Sequence, residues 1–399
     1  MLEIIDNADL STRTSLRLQG RVDRLIRVHH PAELADVKRA LRGSFRGLLG
    51  EGSNSVFGAH IQGTLLQIAW RGYERIGHDR ILAQAGERWD ELVQWSLCQG
   101  LQGLENLSMI PGSVGAAPIQ NIGAYGVELS QCFVALEAIH WESMTRKRFS
   151  LEDCQFSYRS SVFKAPSHQH WIISHIELQL NRQATSAHLL SGQLTSDHLP
   201  AGHLRSEYQA SERLTSEHLT SKHLQSEHLA SDAKAFVHGP SDQGRPSPTS
   251  MLNFRYPDLQ AHFRDSRPQT ALELAQVIRQ IRSSKLPDPE IEPNAGSFFH
   301  NPRLHNEAAL ALKARFPRMP IYPDGAHHHK LSAAWMIDQC GLKGQREGDV
   351  GVSAKHALVL VNYGKASGDM LIAFAQGIID LVQARFGLQL TIEPRVLLA

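Results

Sequence analysis

An excess of charge of either sign is missing from this chain: 41 Lys and Arg stand against 40 Asp and Glu, a formal net charge of +1 over 399 residues. That balance gives no electrostatic case for nucleic acid or an anionic membrane as the main partner. Cysteine is scarce. The four thiols, Cys98, Cys132, Cys154 and Cys340, contain no C-x-x-C pair, and a reduced cytosolic set is the simplest account. No run of eighteen apolar residues exists, so no membrane-spanning helix is expected. The opening MLEIIDNADL carries acids early and no apolar stretch, so it is not read as a signal peptide. The length suggests two or three domains with sizeable cores.

What is present in abundance is small residues in one place. Between Glu105 and Leu129 lie four glycines (Gly112, Gly115, Gly123, Gly126) and three alanines (Ala116, Ala117, Ala124), with no charge between Glu105 and Glu128. Glycine and alanine at this density let a backbone approach a ligand or another strand closely. The polar groups that remain, Ser108, Ser113, Gln120, Asn121 and Tyr125, are of types that orient a ligand. A second such loop, Gly50-Glu51-Gly52-Ser53-Asn54, follows a short apolar run. Successive amides in a loop of this kind form an anion-binding concavity, and a simple hairpin turn is the alternative. The third glycine of a dinucleotide fingerprint is absent, and Val56-Phe57 and Thr64–Ile68 read as strands where that motif needs a helix.

Elsewhere the pattern is ordinary. Thr14–Leu18 alternates as a strand or pocket lining would; Arg80–Gly86, Val134–Trp141 and Trp171–Leu180 read as strands. Helical spacing covers Ala32–Leu41, after the first-turn residue Pro31, and Trp89–Cys98, which ends at Gly100. Tyr158-Arg159, among serines and phenylalanines, offers a guanidinium fork suited to a carboxylate, with a surface ion pair as the plainer reading.

From about Thr185 to Ser231 the chain repeats every five residues, most clearly as TSEHL, TSKHL and QSEHL over 215–229. A metal site is disfavoured, because a step of five turns each His by about 140° on a helix and alternates faces on a strand. A narrow solenoid is disfavoured too, since charged residues stand where it needs small ones. The reading is a disordered low-complexity insert over 184–248.

Globular composition returns at Met251. Thr270–Arg282 is expected to be a helix with Leu272, Ala275 and Ile278 on its apolar face, stopped by Lys285-Leu286-Pro287-Asp288-Pro289. Asn294–Pro302 forms a further unusual loop, with Ser297 between a glycine and two phenylalanines that would shield its hydroxyl from water. Ala308–Phe316, Leu331–Cys340 and Met370–Phe386 read as helices, Ala357–Val361 and Leu390–Val396 as strand-like. His327-His328-His329 is expected in a solvated loop, because three consecutive side chains do not converge easily on one metal ion.

Taken in order, GEGSN (50–54), IPGSVGAAPIQNIGAYGVEL (110–129), Tyr158-Arg159, KLPDP (285–289), NAGSFFHNP (294–302) and IEPRV (392–396) closely resemble the UDP-N-acetylenolpyruvoylglucosamine reductase (UDP-N-acetylmuramate dehydrogenase, MurB) family of peptidoglycan precursor synthesis. The resemblance covers nearly everything except the repeat insert. It implies an α+β chain: an FAD-binding fold of the vanillyl-alcohol-oxidase (PCMH) type in two subdomains, 1–72 (with 396–399) and 73–286, and a C-terminal α+β substrate domain, 287–395. FAD is the implied cofactor and NADPH the hydride donor. Gly50, Glu51, Gly52, Ser53 and Asn54 would cradle the pyrophosphate. Ser113, Gly115, Ala116, Ile119, Gly123 and Gly126 would line the flavin, and Arg282 would also contact the cofactor.

The reaction so implied reduces the enolpyruvyl ether of a UDP-sugar. Hydride arriving at the methylene carbon leaves negative charge on the neighbouring carbon and its carboxylate. Arg159 would stabilise that charge, Glu393 would orient it or act as an acid, and Ser297 would supply the proton. Tyr158, Tyr256, Lys285 and Asn301 would hold the UDP part. No metal is called for, and a cytoplasmic monomer acting on small molecules is expected. Three features depart from the family pattern: His300 where lysine is frequent, the insert ahead of the Tyr256 loop, and a short tail after Val396. A different FAD oxidase on the same fold would not need Ser297 and Glu393 together, and a non-enzymatic nucleotide-binding module would have no use for a buried proton donor.

Overall fold

Val22, Leu25, Ile26 and Val28 are fully buried and nucleate the N-terminal sheet as the strand Arg21–Val28. This strand pairs antiparallel with Glu3–Asp9 and parallel with His60–Ile68, and the latter runs parallel to Phe45–Leu49. Parallel pairing needs a crossover. The 3-10 turn Pro31–Glu33, closed by a capping box with His30, leads into the helix Leu34–Ala40 that supplies it. The structure is a computed structural model that describes residues 2–182 and 252–398. The repeat insert lies outside the described residues.

A five-stranded antiparallel sheet follows, in the order Arg146–Ser150, Phe133–His140, Trp171–Gln179, Arg80–Gln84, Tyr73–Arg75. The helix Trp89–Cys98 occupies the range its spacing predicts, with Trp89, Leu92, Val93 and Leu97 buried. One apolar cluster holds Ile26, Val28 and Leu34 together with Trp89, Leu136 and Phe133, so the first two sheets share a core.

The C-terminal part has its own core. Small sheets built on Asn294–Ser297 with Val359–Asn362, and on Arg303–His305 with His328–Leu331, pack with the helices Asn306–Arg315, Ala333–Gln339 and Gly368–Phe386. Phe298, Phe299, Met336, Ile337 and Phe386 are central to it, and Leu16, Leu18 and Val56 from the N-terminal part join them. The strand Arg395–Leu397 pairs parallel with Ser55–Phe57 and ties the end of the chain to the 50–54 loop.

Several local expectations need correction. Thr14–Leu18 is not a strand: Leu16 and Leu18 are buried from a turn, and Asn362 Nδ2 donates to the carbonyls of Leu16 (3.0 Å) and Arg17 (3.1 Å) to satisfy them. The helix Ala271–Lys285 buries Ala271, Leu274, Ala275, Val277 and Ile278, and Leu272 is 45% exposed. The apolar stripe runs through Leu274, and Leu272 falls on the opposite side of the turn. His328 and His329 lie on the strand His328–Leu331, not in a solvated loop; His329 Nδ1 is 2.9 Å from Asn306 Oδ1. Leu331 ends that strand, and the following helix starts at Ala333 after its cap Ser332. Among the described residues no group of side chains is arranged to hold a metal ion, and no helix is long and apolar enough to cross a membrane.

Candidate active site

The 50–54 loop turns sharply between the strands Phe45–Leu49 and Ser55–Phe57. Gly52 has φ +66°, and a Cβ there would lie 2.1 Å from the Arg13 carbonyl, so only glycine fits. The loop lies against the small-residue stretch. Asn54 Nδ2 donates to Gln120 Oε1 at 3.1 Å, and a Cβ on Gly50 would reach Ser113 Oγ at 2.8 Å. The Glu51 carboxylate is committed to Arg71 (3.6 Å) and Arg88 (3.3 Å), which leaves its backbone amide as the group it can offer an anion.

Within the second stretch, Val114–Gln120 forms a 3-10 helix with Ala116 and Ile119 half-buried. A Cβ on Gly115 would lie 2.6 Å from Ala85 Cβ, so this glycine is required by packing within the protein. The Gly123 carbonyl accepts from Arg159 Nη2 at 2.7 Å, and the Gly126 carbonyl from Asn253 Nδ2 at 3.2 Å. Arg282 donates through Nη2 to the Met109 carbonyl at 3.3 Å, but its Nε is buried with no partner. The glycine turn at 50–54 and an orphaned buried guanidinium nitrogen fit a large phosphate-bearing cofactor.

Beside this cradle opens a cavity of about 410 Å³ lined by Glu128, Ser157, Tyr158, Arg159, His300, Asn301, Pro302, Arg303, Asp324, Gln389 and Thr391. Arg159 sits in the turn Ser157–Ser160 with φ +52°, a strained backbone for a side-chain-bearing residue. Its Nε lies 3.5 Å from Glu393 Oε1. Glu393 reaches the site because 298–300 and 391–393 run antiparallel: Glu393 N donates to the Phe298 carbonyl and His300 N to the Thr391 carbonyl, both at 2.9 Å, around the bridge Phe299–Ile392. His300 and Glu393 are therefore diagonal neighbours, with Nδ1 3.6 Å from Oε2. Burial raises the Glu393 pKa, opposed by Arg159 and Lys164. Burial lowers that of His300 to about 4, helped by the nearby cations Lys164 and Arg159.

Of the remaining expected residues, Tyr158 and Asn301 line the same cavity, whereas Ser297, Tyr256 and Lys285 do not. Asn301 hydrogen-bonds the Tyr158 side chain and accepts from Ala333 N at 3.0 Å. Tyr256 meets Tyr125 edge-on with centroids 5.1 Å apart, and Lys285 is paired with Asp258 at 2.6 Å. Ser297 ends the strand Asn294–Ser297 opposite Val359; it is half-buried and does not line the cavity. Sequence reading missed Lys330, whose Nζ sits 3.9 Å above the Tyr158 ring and 3.0 Å from Asp324. It also missed Lys164, a charge that Glu393 feels. Nothing in their local sequence marks either lysine.

Comparison with known proteins bears on what this geometry serves. A family profile described as UDP-N-acetylenolpyruvoylglucosamine reductase, C-terminal domain, matches residues 288–397, and one described as FAD binding domain matches 22–145. A UDP-N-acetylenolpyruvoylglucosamine reductase of Xanthomonas euvesicatoria pv. vesicatoria is 36% identical over 404 aligned residues, covering 99% of this chain and 96% of the relative. The chain belongs to the UDP-N-acetylenolpyruvoylglucosamine reductase family. A member from Pseudomonas aeruginosa is 37% identical and covers 92% of both chains. The crystal structure of a UDP-N-acetylenolpyruvylglucosamine reductase (MurB) from Thermus caldophilus aligns over 100% of this chain and 99% of its own, with 21% identity and a TM-score of 0.55, a likeness of fold. The family's α+β architecture, an FAD-binding domain followed by a distinct C-terminal domain, is the one expected from the sequence.

Proposed function

We propose that the protein is an NADPH-dependent flavoenzyme that reduces UDP-N-acetylglucosamine enolpyruvate to UDP-N-acetylmuramate in peptidoglycan precursor synthesis. FAD, when bound, would supply the redox chemistry that carries a hydride from NADPH to the methylene carbon of the enolpyruvyl ether. The Gly50–Asn54 turn would hold the cofactor through its backbone amides, and Ser113–Gly126 would line it by close approach. Arg282 contributes charge to it.

The observation that carries the reading is Arg159, in the wall of the cavity, paired with Glu393. As the double bond becomes a single bond, negative charge gathers on the carbon beside the carboxylate. A guanidinium anchored on the Gly123 carbonyl meets that charge without reorganising. Glu393 fixes the other edge of the fork. Ser297 gives its hydroxyl proton to the carbanion carbon, so the ether gains one hydride and one proton. Tyr158, Asn301, Tyr256 and Lys285 hold the UDP-sugar. We divide the chain functionally into 1–72 with 396–399, 73–286 and 287–395; the C-terminal core, which Leu16, Leu18 and Val56 also join, supports the last of these. The cytoplasm is the proposed location of the reaction.

The test is anaerobic. The purified yellow protein should bleach with NADPH and recover colour with the enolpyruvyl substrate; recovery only in air would point to an oxidase, and a protein that takes up no FAD would end the proposal. Ser297→Ala should still bleach with NADPH and fail to recover. Recovery near the wild-type rate would remove Ser297 as the proton donor.

A further inference from the structure

His300 has a buried Nδ1 with no hydrogen-bond partner among the described residues. An unpaired buried polar atom is costly, and one that persists beside a reacting group calls for an explanation. The acceptor it faces is Glu393 Oε2 at 3.6 Å, slightly beyond hydrogen-bonding range. Catalytic contacts of this kind are often long before substrate binds and tighten in the loaded complex.

The surroundings decide the proton arrangement. The charged and titratable groups that act on the pair are Arg159 from the 157–160 turn, Lys164 from the short helix Val162–Lys164, and Tyr158, and Glu128, Arg303 and Asp324 line the same cavity as His300. Two cations beside the imidazole, together with its burial, keep it neutral through the range in which an enzyme of this kind works. A neutral imidazole has one N–H, and with Nδ1 toward the carboxyl that proton is available to Oε2. The antiparallel pairing of 298–300 with 391–393 fixes this approach through backbone, with the buried Phe298 directly opposite Glu393 in that pairing.

We infer that His300 is a positioning residue for Glu393: its neutral Nδ1–H holds Oε2 while Arg159 holds Oε1, so the carboxyl keeps one orientation and one proton affinity during turnover. The inference rests on the reading of Glu393 given under the proposed function. A lysine at this position would place a third cation beside the carboxyl; histidine places a directional neutral donor there.

The experiment compares wild type, His300→Ala and His300→Asn, since the Asn amide nitrogen can occupy the place of Nδ1. His300→Leu serves where the alanine variant fails to fold. The first readout is the pH profile of flavin reoxidation by the enolpyruvyl substrate. The second is the ¹³C carboxyl titration of Glu393 in the flavin-loaded protein, assigned by its loss in Glu393→Gln. The expected result is about a tenfold slower reoxidation in His300→Ala, with the Glu393 titration and the matching limb of the profile moved to higher pH. His300→Asn should restore both most of the way. An unmoved Glu393 titration in His300→Ala, or an asparagine variant no better than alanine, overturns the inference. If the wild type does not turn over the enolpyruvyl substrate, the functional reading fails, and the carboxyl titration still decides the pairing.

Discussion

Removing the Arg159 side chain tests the proposed chemistry most directly. Arg159 has φ +52°, so every non-glycine residue there carries the same backbone cost, about 1–2 kcal/mol. Arg159→Ala therefore leaves backbone strain unchanged and deletes the 2.7 Å hydrogen bond to the Gly123 carbonyl, the 3.5 Å approach to Glu393 and the stacking of the guanidinium 5.4 Å over the Tyr158 ring. The first is charge-assisted, and its loss costs about 1.5–3 kcal/mol. Folding feels little of the second, because Glu393 already has a raised pKa and can take a proton. The transition state has no such escape, since the charge at the enolate carbon loses a preorganised donor. The rate of reoxidation should drop by about 10²–10³. Arg159→Lys keeps the charge but cannot reach both partners, and about a tenfold to hundredfold loss is expected. Stopped-flow absorbance of the flavin after NADPH reduction, with the enolpyruvyl substrate in the second syringe, reads the step. Arg159→Gly provides the control: it should gain backbone stability and remain as slow as alanine. If any of the three retained reoxidation within about threefold of wild type, the difference would be under 1 kcal/mol and Arg159 would not stabilise developing charge.

Three further outcomes follow from individual contacts. Gly52→Ala forces a Cβ onto the Arg13 carbonyl at a positive φ, so it should lower the melting temperature and release FAD, read as free-flavin fluorescence after desalting. His300 titrates near pH 6.5 when unfolded and near 4 in the fold, so the unfolded state binds the extra proton between those values and stability falls as pH drops through them, by about 3 kcal/mol in all. His300→Gln should flatten that acid limb in urea titrations; an unchanged slope would show that the imidazole is not kept neutral by the fold. Phe298→Ala empties a fully buried position in the C-terminal core and should cost about 3–5 kcal/mol, measured by chemical denaturation, with Glu393 titrating closer to an ordinary carboxyl.

Periodicity made the scaffold legible where one face meets one core. Trp89–Cys98 shows this, as does the strand Arg21–Val28, because burial alone sets their pattern. It misled where a second contact competes. Leu272 has the spacing of a core residue, but the stripe through Leu274 packs under the Tyr125 and Phe254 side chains and leaves Leu272 outside. Leu16 and Leu18 are apolar residues in a turn, buried only because the C-terminal core reaches them, a contact with residues more than 300 positions away that no local window contains. The glycine cradles were readable as places of close approach. Which neighbour approaches was not: Gly115 meets Ala85, whereas Gly123 turns its carbonyl to Arg159. Lys164 and Lys330 act on Glu393 and Tyr158 across the fold, and surface lysines in sequence look the same as these.

The arrangement also explains why the chemistry can be exact while its parts are scattered. Arg159 comes from the Ser157–Ser160 turn, Glu393 and His300 from two paired segments near the C-terminus, and each is fixed by hydrogen bonds to backbone that do not depend on the ligand. The strained φ of Arg159 is tolerable because Ser157 and Ser160 close the turn on themselves and Ser161 Oγ donates to the Ile119 carbonyl at 2.7 Å, which pins the turn to the small-residue stretch. That stretch is tied to the guanidinium and its turn by two hydrogen bonds, those at Ile119 and Gly123. An apo protein that loses the Ser161–Ile119 bond, as in Ser161→Ala, should keep its fold and bind FAD, but it should hold Arg159 less firmly and pay in reoxidation rate rather than in flavin reduction by NADPH. Equal losses in both half-reactions would mean that the turn serves the cofactor and not the reacting carboxylate.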